Sequence, residues 1–458
     1  MGNRPPFPSG GRALVVGLGI AGSTTARHLR GRKWEVTVIE DNPSPASRTR
    51  FKALEAADIK MIDIKMIESP SPSTVRDLVE ACDLVVPSPG VAASHRSIVL
   101  AQAMGKKVCS EFELAAHWSD IPVVAITGTN GKTTVTTLID EMFKASGLRS
   151  IAAGNTDLPL IDAVDEVILG PVDLDVVVVE ASSFRLAFTE SFHPKVGVWL
   201  NVAEDHLDWH ETMESYIEAK SKIWANQTHE DVAIACADDP LVMEAASKVH
   251  STLITFGQDK GDWRVDGCRL RMPDGSTLIE IDELWRKLPH DLTNVMAASA
   301  AALVGGATME GVLDALHSFR GLPHRVSLVG QHRGIDYYDD SKATDPHAAL
   351  AAIRSFDSVV LIAGGRNKGL DLSVLSSESR RLRAVVAIGE AAGEIIEIFN
   401  GKVPVKAAHT MREAVVLASD FAKQGDSVLL SPGCASFDWY SSYGERGDDF
   451  ARCFGELS

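Results

Sequence analysis

Residues 121–134 read Ile121-Pro122-Val123-Val124-Ala125-Ile126-Thr127-Gly128-Thr129-Asn130-Gly131-Lys132-Thr133-Thr134, and the residues that follow, VTTLIDEMFKASG, keep a helical pattern. An uninterrupted apolar run thus ends in a glycine turn that opens a helix. Gly128 and Gly131 let backbone N–H groups close around phosphate oxygens. The helix start adds unpaired N–H groups and the positive end of its dipole. Lys132 is placed to reach β- and γ-phosphates, and Thr133 to offer its hydroxyl to Mg2+. The usual phosphate loop has a glycine six residues before the lysine; here that position is Ile126, so the loop is a shortened form, GTNGKTT at 128–134.

The same rhythm of apolar run, loop and helical pattern fills the chain. Further runs lie at 13–16, 35–39, 83–86, 175–179, 195–200, 359–363, 384–388 and 427–430, most rich in Val and Ile. Strands buried on both faces of a parallel sheet read this way, and several rounds give an α/β protein. The rhythm restarts near residue 117, after the helix-like EFELAAHW, and again near residue 320, at the linker-like RGLPHR. Three α/β domains are expected, at 1–117, 118–321 and 322–458: a Rossmann-like domain, a central P-loop ATPase-like domain with a parallel sheet, and a second Rossmann-like domain. Residues 1–10 and the Ser/Pro run 69–73 read as irregular.

Ligand sites in open α/β sheets lie beyond the carboxyl ends of strands, and two later runs end in useful chemistry. DLDVVVVE finishes at Glu180, where a carboxylate can hold Mg2+ beside the phosphate loop. KVGVWL is followed by Asn201-Val202-Ala203-Glu204-Asp205-His206-Leu207-Asp208, in which His206, flanked by acids, suits a second metal site or an orienting hydrogen bond. Lys220 lies four residues after Tyr216 on one helix face and by itself reads as a surface lysine.

In the first block, GLGIAG places Gly17, Gly19 and Gly22 after a strand and before a helix, and WEVTVIED ends at Glu40 and Asp41. This GxGxxG pattern with a later acid fits a nicotinamide dinucleotide or a diphosphate sugar such as a UDP-sugar. The later loop Pro87-Ser88-Pro89-Gly90-Val91 also follows a strand and could close the same crevice.

Bulk properties narrow the class. A net charge of −17 over 458 residues argues against a general nucleic-acid binder. No stretch approaches the roughly 18 apolar residues of a membrane span. Six dispersed cysteines without a CxxC fit reduced thiols in the cytoplasm.

Taken together these residues resemble the Mur ligase family, over nearly the whole chain, and within it the branch that adds D-glutamate to UDP-N-acetylmuramoyl-L-alanine. The family signals are GTNGKTT, Glu180 with Ser182-Ser183-Phe184, NVAEDHLD at 201–208 and Leu322-Pro323-His324-Arg325; those of the branch are GLGIAG, Ser88-Pro89-Gly90, Asp340-Ser341-Lys342-Ala343-Thr344 and Leu430-Ser431-Pro432-Gly433-Cys434-Ala435-Ser436. The resemblance implies an ATP-dependent amide ligase of cytoplasmic peptidoglycan precursor synthesis, working through an acyl phosphate. Its substrates would be UDP-N-acetylmuramoyl-L-alanine and D-glutamate, and a monomer is expected, without nucleic acid or membrane. Two Mg2+ ions are implied, the first held by Thr133 and Glu180 and the second by His206, with a carbamylated Lys220 able to bridge to Mg2+. The nucleotide would meet Gly128, Thr129, Asn130, Gly131, Lys132, Thr133, Thr134, Asn294, Arg325 and Asp340, with His290 nearby; Asp291 stands where the family has Asn.

The UDP substrate would meet Gly17, Leu18, Gly19, Ile20, Pro89, Gly90, Asn155 and Ser182, with Glu40 or Asp41 on the uracil. Lys342 would lie near the phosphates, Thr344 and Lys368 near the D-glutamate side-chain carboxylate, and Ser436 and the backbone of Tyr443 at its α-carboxylate. Lys132, Glu180, His206, Lys220 and Lys342 are the implied catalytic set, and the C-terminal domain would close on the central one.

Overall fold

The computed structural model describes residues 7, 10–56, 64–156, 158–165 and 173–457, so the expected irregular stretch 1–10 lies almost wholly outside the described residues. The chain forms two compact units. One holds the chain through Val202 with His206–Leu284 and Asp291–Phe319; the other holds Ala203–Asp205, Trp285–His290 and the chain from Arg320.

The first unit carries two sheets. In the first, β1 (Gly11–Val16), β2 (Trp34–Glu40), β3 (Ile64–Glu68), β4 (Leu84–Pro87) and β5 (Lys107–Val108) run parallel in the order β3-β2-β1-β4-β5. Strand order reverses between β1 and β4, and the crevice beyond such a reversal is where open sheets bind ligands.

The second sheet contains β6 (Val123–Thr127), β7 (Ser150–Gly154), β8 (Val176–Glu180), β9 (Val196–Trp199), β10 (Val232–Cys236), β11 (Thr252–Gly257), β12 (Trp263–Asp266), β13 (Arg269–Arg271) and β14 (Thr277–Glu280). Its order is β14-β13-β12-β11-β10-β9-β6-β8-β7, parallel from β7 to β12 and antiparallel beyond. The apolar rhythm does not signal β12 to β14. These short strands mix buried and exposed positions and carry arginines and acids, as an antiparallel sheet edge facing water allows.

The second unit holds β15 (Ser327–His332), β16 (Ile335–Asp339), β17 (Val359–Gly364), β18 (Leu382–Ile388), β19 (Val405–Ala407) and β20 (Ser427–Leu430) in the order β15-β16-β20-β17-β18-β19. Only the β15–β16 pair is antiparallel among them.

Every apolar run singled out in the sequence overlaps one of these strands. The runs are uninterrupted because both sheet faces are covered. Ala13 and Val15 enter one core cluster while Leu14 and Val16 enter another. Val359, Leu361 and Ala363 divide likewise from Val360 and Ile362. The Ser/Pro run 69–73 is not irregular throughout: Ser71 accepts from Thr74 N at 3.1 Å and caps a helix at Pro72–Ala81. A serine cap followed by proline at the first helical position is a helix start. Asp345 before Pro346 does the same for Pro346–Arg354, accepting from Ala348 N at 2.8 Å. No helix among the described residues is long and apolar enough to cross a membrane.

The first two sheets are tied by buried charge. His28, on the helix Ile20–Gly31, is fully buried and bonds Asp165 through Nδ1 and Asp162 through Nε2, the latter at 2.6 Å; Arg27 and Arg32 pair with the same two acids. Burial by itself would lower the His28 pKa, but the hydrogen bonds and charges of Asp162 and Asp165 outweigh it and raise the value above 6.5. Stability from His28 is therefore complete below its unfolded pKa and is lost as pH rises through the higher folded value. The pKa values of Asp162 and Asp165 are lowered, burial opposing and His28 prevailing, so their contribution is lost only as pH falls below 3.8.

Two expectations follow from this architecture. Between pH 6 and pH 9 the wild-type protein should lose more stability than His28→Gln, seen as a steeper fall of melting temperature with pH. At Gly22, a Cβ would stand 2.1 Å from Gly17 O and 2.4 Å from Ser88 Oγ, so Gly22→Ala should destabilise by about 1–3 kcal/mol in chemical denaturation.

Candidate active site

β6 lies between β9 and β8, so the turn after it, Asn201 after β9 and Glu180 at the end of β8 share one edge of the sheet. Gly131 caps the helix Lys132–Ala145 with φ of 86°, a left-handed conformation that suits glycine. A side chain there is also excluded by Asn294, whose Oδ1 would lie 2.6 Å from an added Cβ. Asn294 therefore stands against the loop. Asn201, absent from the expected site, braces it. Its Oδ1 accepts from Thr129 N at 3.0 Å and Asn130 N at 2.9 Å, and its Nδ2 donates to Asn130 O at 3.2 Å. The N–H groups of Thr129 and Asn130 are thus committed to Asn201 rather than turned to a ligand. An asparagine directly after a strand was the only sequence signal for this role.

Two ammonium groups meet at the loop. Lys132 Nζ donates to Gly128 O at 2.9 Å and Thr129 O at 2.8 Å, and Lys220 Nζ donates to Gly128 O at 2.8 Å. Lys220 is 1% exposed and sits 4.4 Å from the Tyr216 ring centroid. The surface reading of Lys220 is thus overturned: its helix face packs inward against the loop. Thr133 and Thr134 occupy the first turn of the same helix.

Glu180 is 2% exposed. Its Oε1 accepts from Asn155 Nδ2 at 3.0 Å, while its Oε2 is buried with no hydrogen-bond partner among the described residues, as is Thr127 Oγ1 at the end of β6. A buried carboxylate oxygen left bare is costly and asks for a cation or a donor. Among the described residues no three His, Cys, Asp or Glu side chains gather into a metal cage. The fit to a divalent ion rests on that oxygen, with the Thr133 hydroxyl at the helix start. Ser182 caps the helix Ser183–Ala187, accepting from Arg185 N at 3.4 Å.

His206 has a left-handed backbone, φ 56°, and its ring stands edge-on to Phe184 at 4.7 Å. Four residues on, His210 bonds Ser183 Oγ at 2.9 Å; burial, with the Lys220 and His206 charges nearby, lowers its pKa to about 4, so it is neutral at pH 7. Trp209 Nε1 donates to Val91 O at 2.7 Å, joining this histidine turn to the loop after β4.

A cleft of about 550 Å³ opens at the β1/β4 reversal. Gly17, Leu18, Gly19, Ile20, Glu40, Asp41, Pro89 and Gly90 all line it, together with His95, Thr156 and Arg185, which the sequence reading passed over. Glu40 Oε2 accepts from Leu18 N at 2.8 Å. Asp41 pairs with His95 at 2.8 Å and Arg96 at 3.0 Å; these partners outweigh burial and hold its carboxyl below 3.8.

In the second unit the loops after β16, β20 and β17, three adjacent strands, carry the other expected residues. Asp340 is buried, accepting from Ser431 Oγ at 2.7 Å and Val326 N at 3.2 Å; burial raises its pKa to about 7 despite Arg325, half-buried just before β15. Lys342 Nζ lies 3.8 Å from the Tyr443 ring centroid, and Tyr443 O accepts from Ser341 Oγ at 2.8 Å. Thr344 is half-buried, Lys368 exposed and Ser436 2% exposed. Arg446, also unforeseen, ties two of the loops: Nε donates to Ser341 Oγ at 2.9 Å and Nη1 to Cys434 O at 3.0 Å. Nothing in its local sequence, GERGDD, distinguishes it from a surface helix arginine.

Comparison with known proteins adds a family. Residues 11–110 match the Mur ligase MurD-like N-terminal domain, 126–302 the Mur ligase middle domain and 324–434 the Mur ligase glutamate ligase domain. A UDP-N-acetylmuramoylalanine--D-glutamate ligase of Desulfosudis oleivorans is 39% identical, covering 97% of this chain and 96% of its own. One from Pelotomaculum thermopropionicum is 38% identical, covering 96% of each. Among solved structures, a pseudomurein peptide ligase type C from Methanothermus fervidus superposes with a TM-score of 0.59 at 16% identity, over 98% of this chain and 100% of that one. The UDP-N-acetylmuramate-alanine ligase of Thermotoga maritima does so with 0.58 at 18%, over 97% and 99%. At such identities the structures speak for the fold, but the sequence relatives span both chains almost end to end, and the chain belongs to the Mur ligase family, in its MurD-like branch.

Proposed function

We propose that this protein is an ATP-dependent ligase that joins D-glutamate to UDP-N-acetylmuramoyl-L-alanine, releasing ADP and phosphate, in cytoplasmic peptidoglycan precursor synthesis. The observation that carries the chemistry is the bare Glu180 oxygen beside a phosphate loop on which Lys132 and Lys220 converge. The relatives' shared reaction supplies the substrates. Residues 1–117 would form the UDP-substrate domain, 118–321 the ATP domain and 322–458 the amino-acid domain, in a monomer acting apart from membranes and nucleic acid.

The cleft at the β1/β4 reversal takes the UDP moiety. Its diphosphate lies against the loop Gly17–Ile20 and the helix start behind it, its uracil near Glu40 or Asp41, and Pro89 and Gly90 close the far wall. Asn155 and Ser182 guide the muramoyl-alanine end toward the phosphate loop. ATP phosphates meet Gly128 to Thr134. Since Thr129 and Asn130 donate to Asn201, phosphate oxygens are received by the N–H groups of Gly131 and the first helical turn and by Lys132. Asn294 borders the loop on the nucleotide side. Thr133 and Glu180 would hold one Mg2+, and His206 with a carbamate on Lys220 a second; bound there, the ions would neutralise the polyphosphate.

The alanyl carboxylate attacks the γ-phosphate, ADP departs, and an acyl phosphate forms. The D-glutamate amine then attacks the acyl carbon, loses a proton, and the tetrahedral intermediate collapses to amide and phosphate. Family resemblance assigns Arg325, Asp340 and Lys342 to the nucleotide. Thr344 and Lys368 are assigned to the side-chain carboxylate of D-glutamate, and Ser436 and the Tyr443 backbone to its α-carboxylate. Catalysis is by positioning and charge neutralisation.

Phosphate release with UDP-N-acetylmuramoyl-L-alanine, ATP and a panel of D-glutamate, L-glutamate, L-alanine and diaminopimelate tests the reading; only D-glutamate should support turnover. Lys132→Ala should cut phosphate release by about a thousandfold while calorimetry finds the UDP substrate still bound; loss of both would contradict the separate sites. Lys220→Ala should slow turnover by about a hundredfold, with partial recovery on adding short carboxylates. Native mass spectra in bicarbonate should find one added CO2 on the wild type and none on the variant.

A further inference from the structure

A chain of directional hydrogen bonds runs through the first unit and ends on Glu180. Glu111 Oε2 accepts from Ile161 N at 3.2 Å, and its Oε1 accepts from Arg185 Nε at 3.0 Å. Arg185 Nη1 donates to Asn155 Oδ1 at 2.8 Å, and Asn155 Nδ2 donates to Glu180 Oε1 at 3.0 Å. Glu111, Arg185 and Glu180 are 2%, 6% and 2% exposed, whereas Asn155 is exposed. The four come from separate elements: the helix Glu111–Trp118, the helix Ser183–Ala187, the turn after β7 and the end of β8.

The direction of each link is dictated by chemistry. An arginine can only donate and an ionised carboxylate only accept, so Asn155 must turn its oxygen to Arg185 and its NH2 to Glu180. The reverse amide would set two acceptors together at Glu180 and two donors together at Arg185. Asn155, exposed and otherwise free to rotate, is thereby oriented by a buried guanidinium that is itself fixed by a buried carboxylate. With Oε1 of Glu180 held in this way, Oε2 is the oxygen left without a partner. Arg185 also borders the cleft at the β1/β4 reversal, so the same side chain adjoins both ligand regions.

We propose that Arg185 is a positioning residue for the ligase reaction, fixing the Asn155 amide and through it the Glu180 carboxylate, so that one carboxylate oxygen stays available to a divalent cation. This rests on the function proposed above. The fork of the guanidinium is essential, because it reaches Glu111 and Asn155 from different nitrogens; a lysine ammonium is a single point and cannot span them in fixed geometry.

The test is the Mg2+ dependence of ATP uptake by calorimetry, alongside steady-state kinetics. Arg185→Lys should raise the Mg2+ concentration for half-maximal ATP uptake, and lower kcat, by about tenfold each, the usual consequence of losing a group that orients a metal ligand. KM for ATP at saturating Mg2+ should stay put. Asn155→Ala should do the same, and the double variant should lie within about twofold of Asn155→Ala, since both changes break one chain. An unchanged Mg2+ dependence in Arg185→Lys, or effects that multiply in the double variant, would overturn the proposal. If Arg185→Lys does not fold, Arg185→Gln takes its place; failure of both to fold would also overturn it, by making Arg185 a support of the fold. The calorimetric readout needs neither D-glutamate nor the UDP substrate, so turnover with a different amino acid would sink the functional reading and leave this inference standing.

Discussion

A strand buried on both faces of a parallel sheet can satisfy its backbone only through its neighbours, and its carboxyl end must hand the chain to a loop. β6 is such a strand, set between β9 and β8, and most of what the protein can do follows from that placement. The loop after β6 has no sheet to complete its hydrogen bonds, so it is completed by what the neighbouring strands deliver. Asn201 from β9 takes the N–H groups of Thr129 and Asn130, and Lys220 and Lys132 fill Gly128 O. The same arrangement recurs at the β1/β4 reversal and beside β20, where adjacent strands end in loops that carry the remaining polar residues.

Buried charge makes these junctions specific. Glu111 with Arg185, and His28 with Asp162 and Asp165, are taken out of water where the first two sheets meet. Removing two charges from water is expensive, and a buried pair stabilises little compared with apolar packing of the same volume; breaking it costs several kcal/mol, roughly 3–5, because one charge is stranded. Such groups therefore favour one docking of the elements over near alternatives more than they add to stability. Burial pushes the pKa of Glu111 up, and Arg185 opposes this. At Glu180 the balance is left incomplete. One oxygen has its amide and the other has no hydrogen-bond partner among the described residues, the kind of local cost proteins carry where a ligand completes the set.

In the second unit, Asp340 and Arg446 show burial at work on opposite signs. Burial raises the aspartate's pKa to about 7 and lowers the arginine's to about 10. Both hold loops rather than face solvent: Asp340 links Ser431 to Val326, and Arg446 links Ser341 to Cys434. The loops after β16 and β20 are thereby fixed relative to each other.

Sequence alone determined the parallel sheets and the phosphate loop. Runs such as VVAI and VVVVE have no polar interruption because both faces are covered, and GTNGKTT carries its glycines at the turn that joins β6 to the next helix. The cleft residues 17–20, 40, 41, 89 and 90 were readable for the same reason, since a glycine turn after a strand is a local feature. Tertiary structure alone decided which strand ends are neighbours, and with them the roles of Asn201, Arg185, Glu111 and Arg446. It also decided that Lys220 is buried and not a surface lysine. Their partners lie tens of residues away in the chain (Arg185 and Glu111 are separated by 74 positions, Lys220 and Gly128 by 92). A charged side chain's role depends on what stands opposite once water has been removed, and no local pattern of residues encodes that.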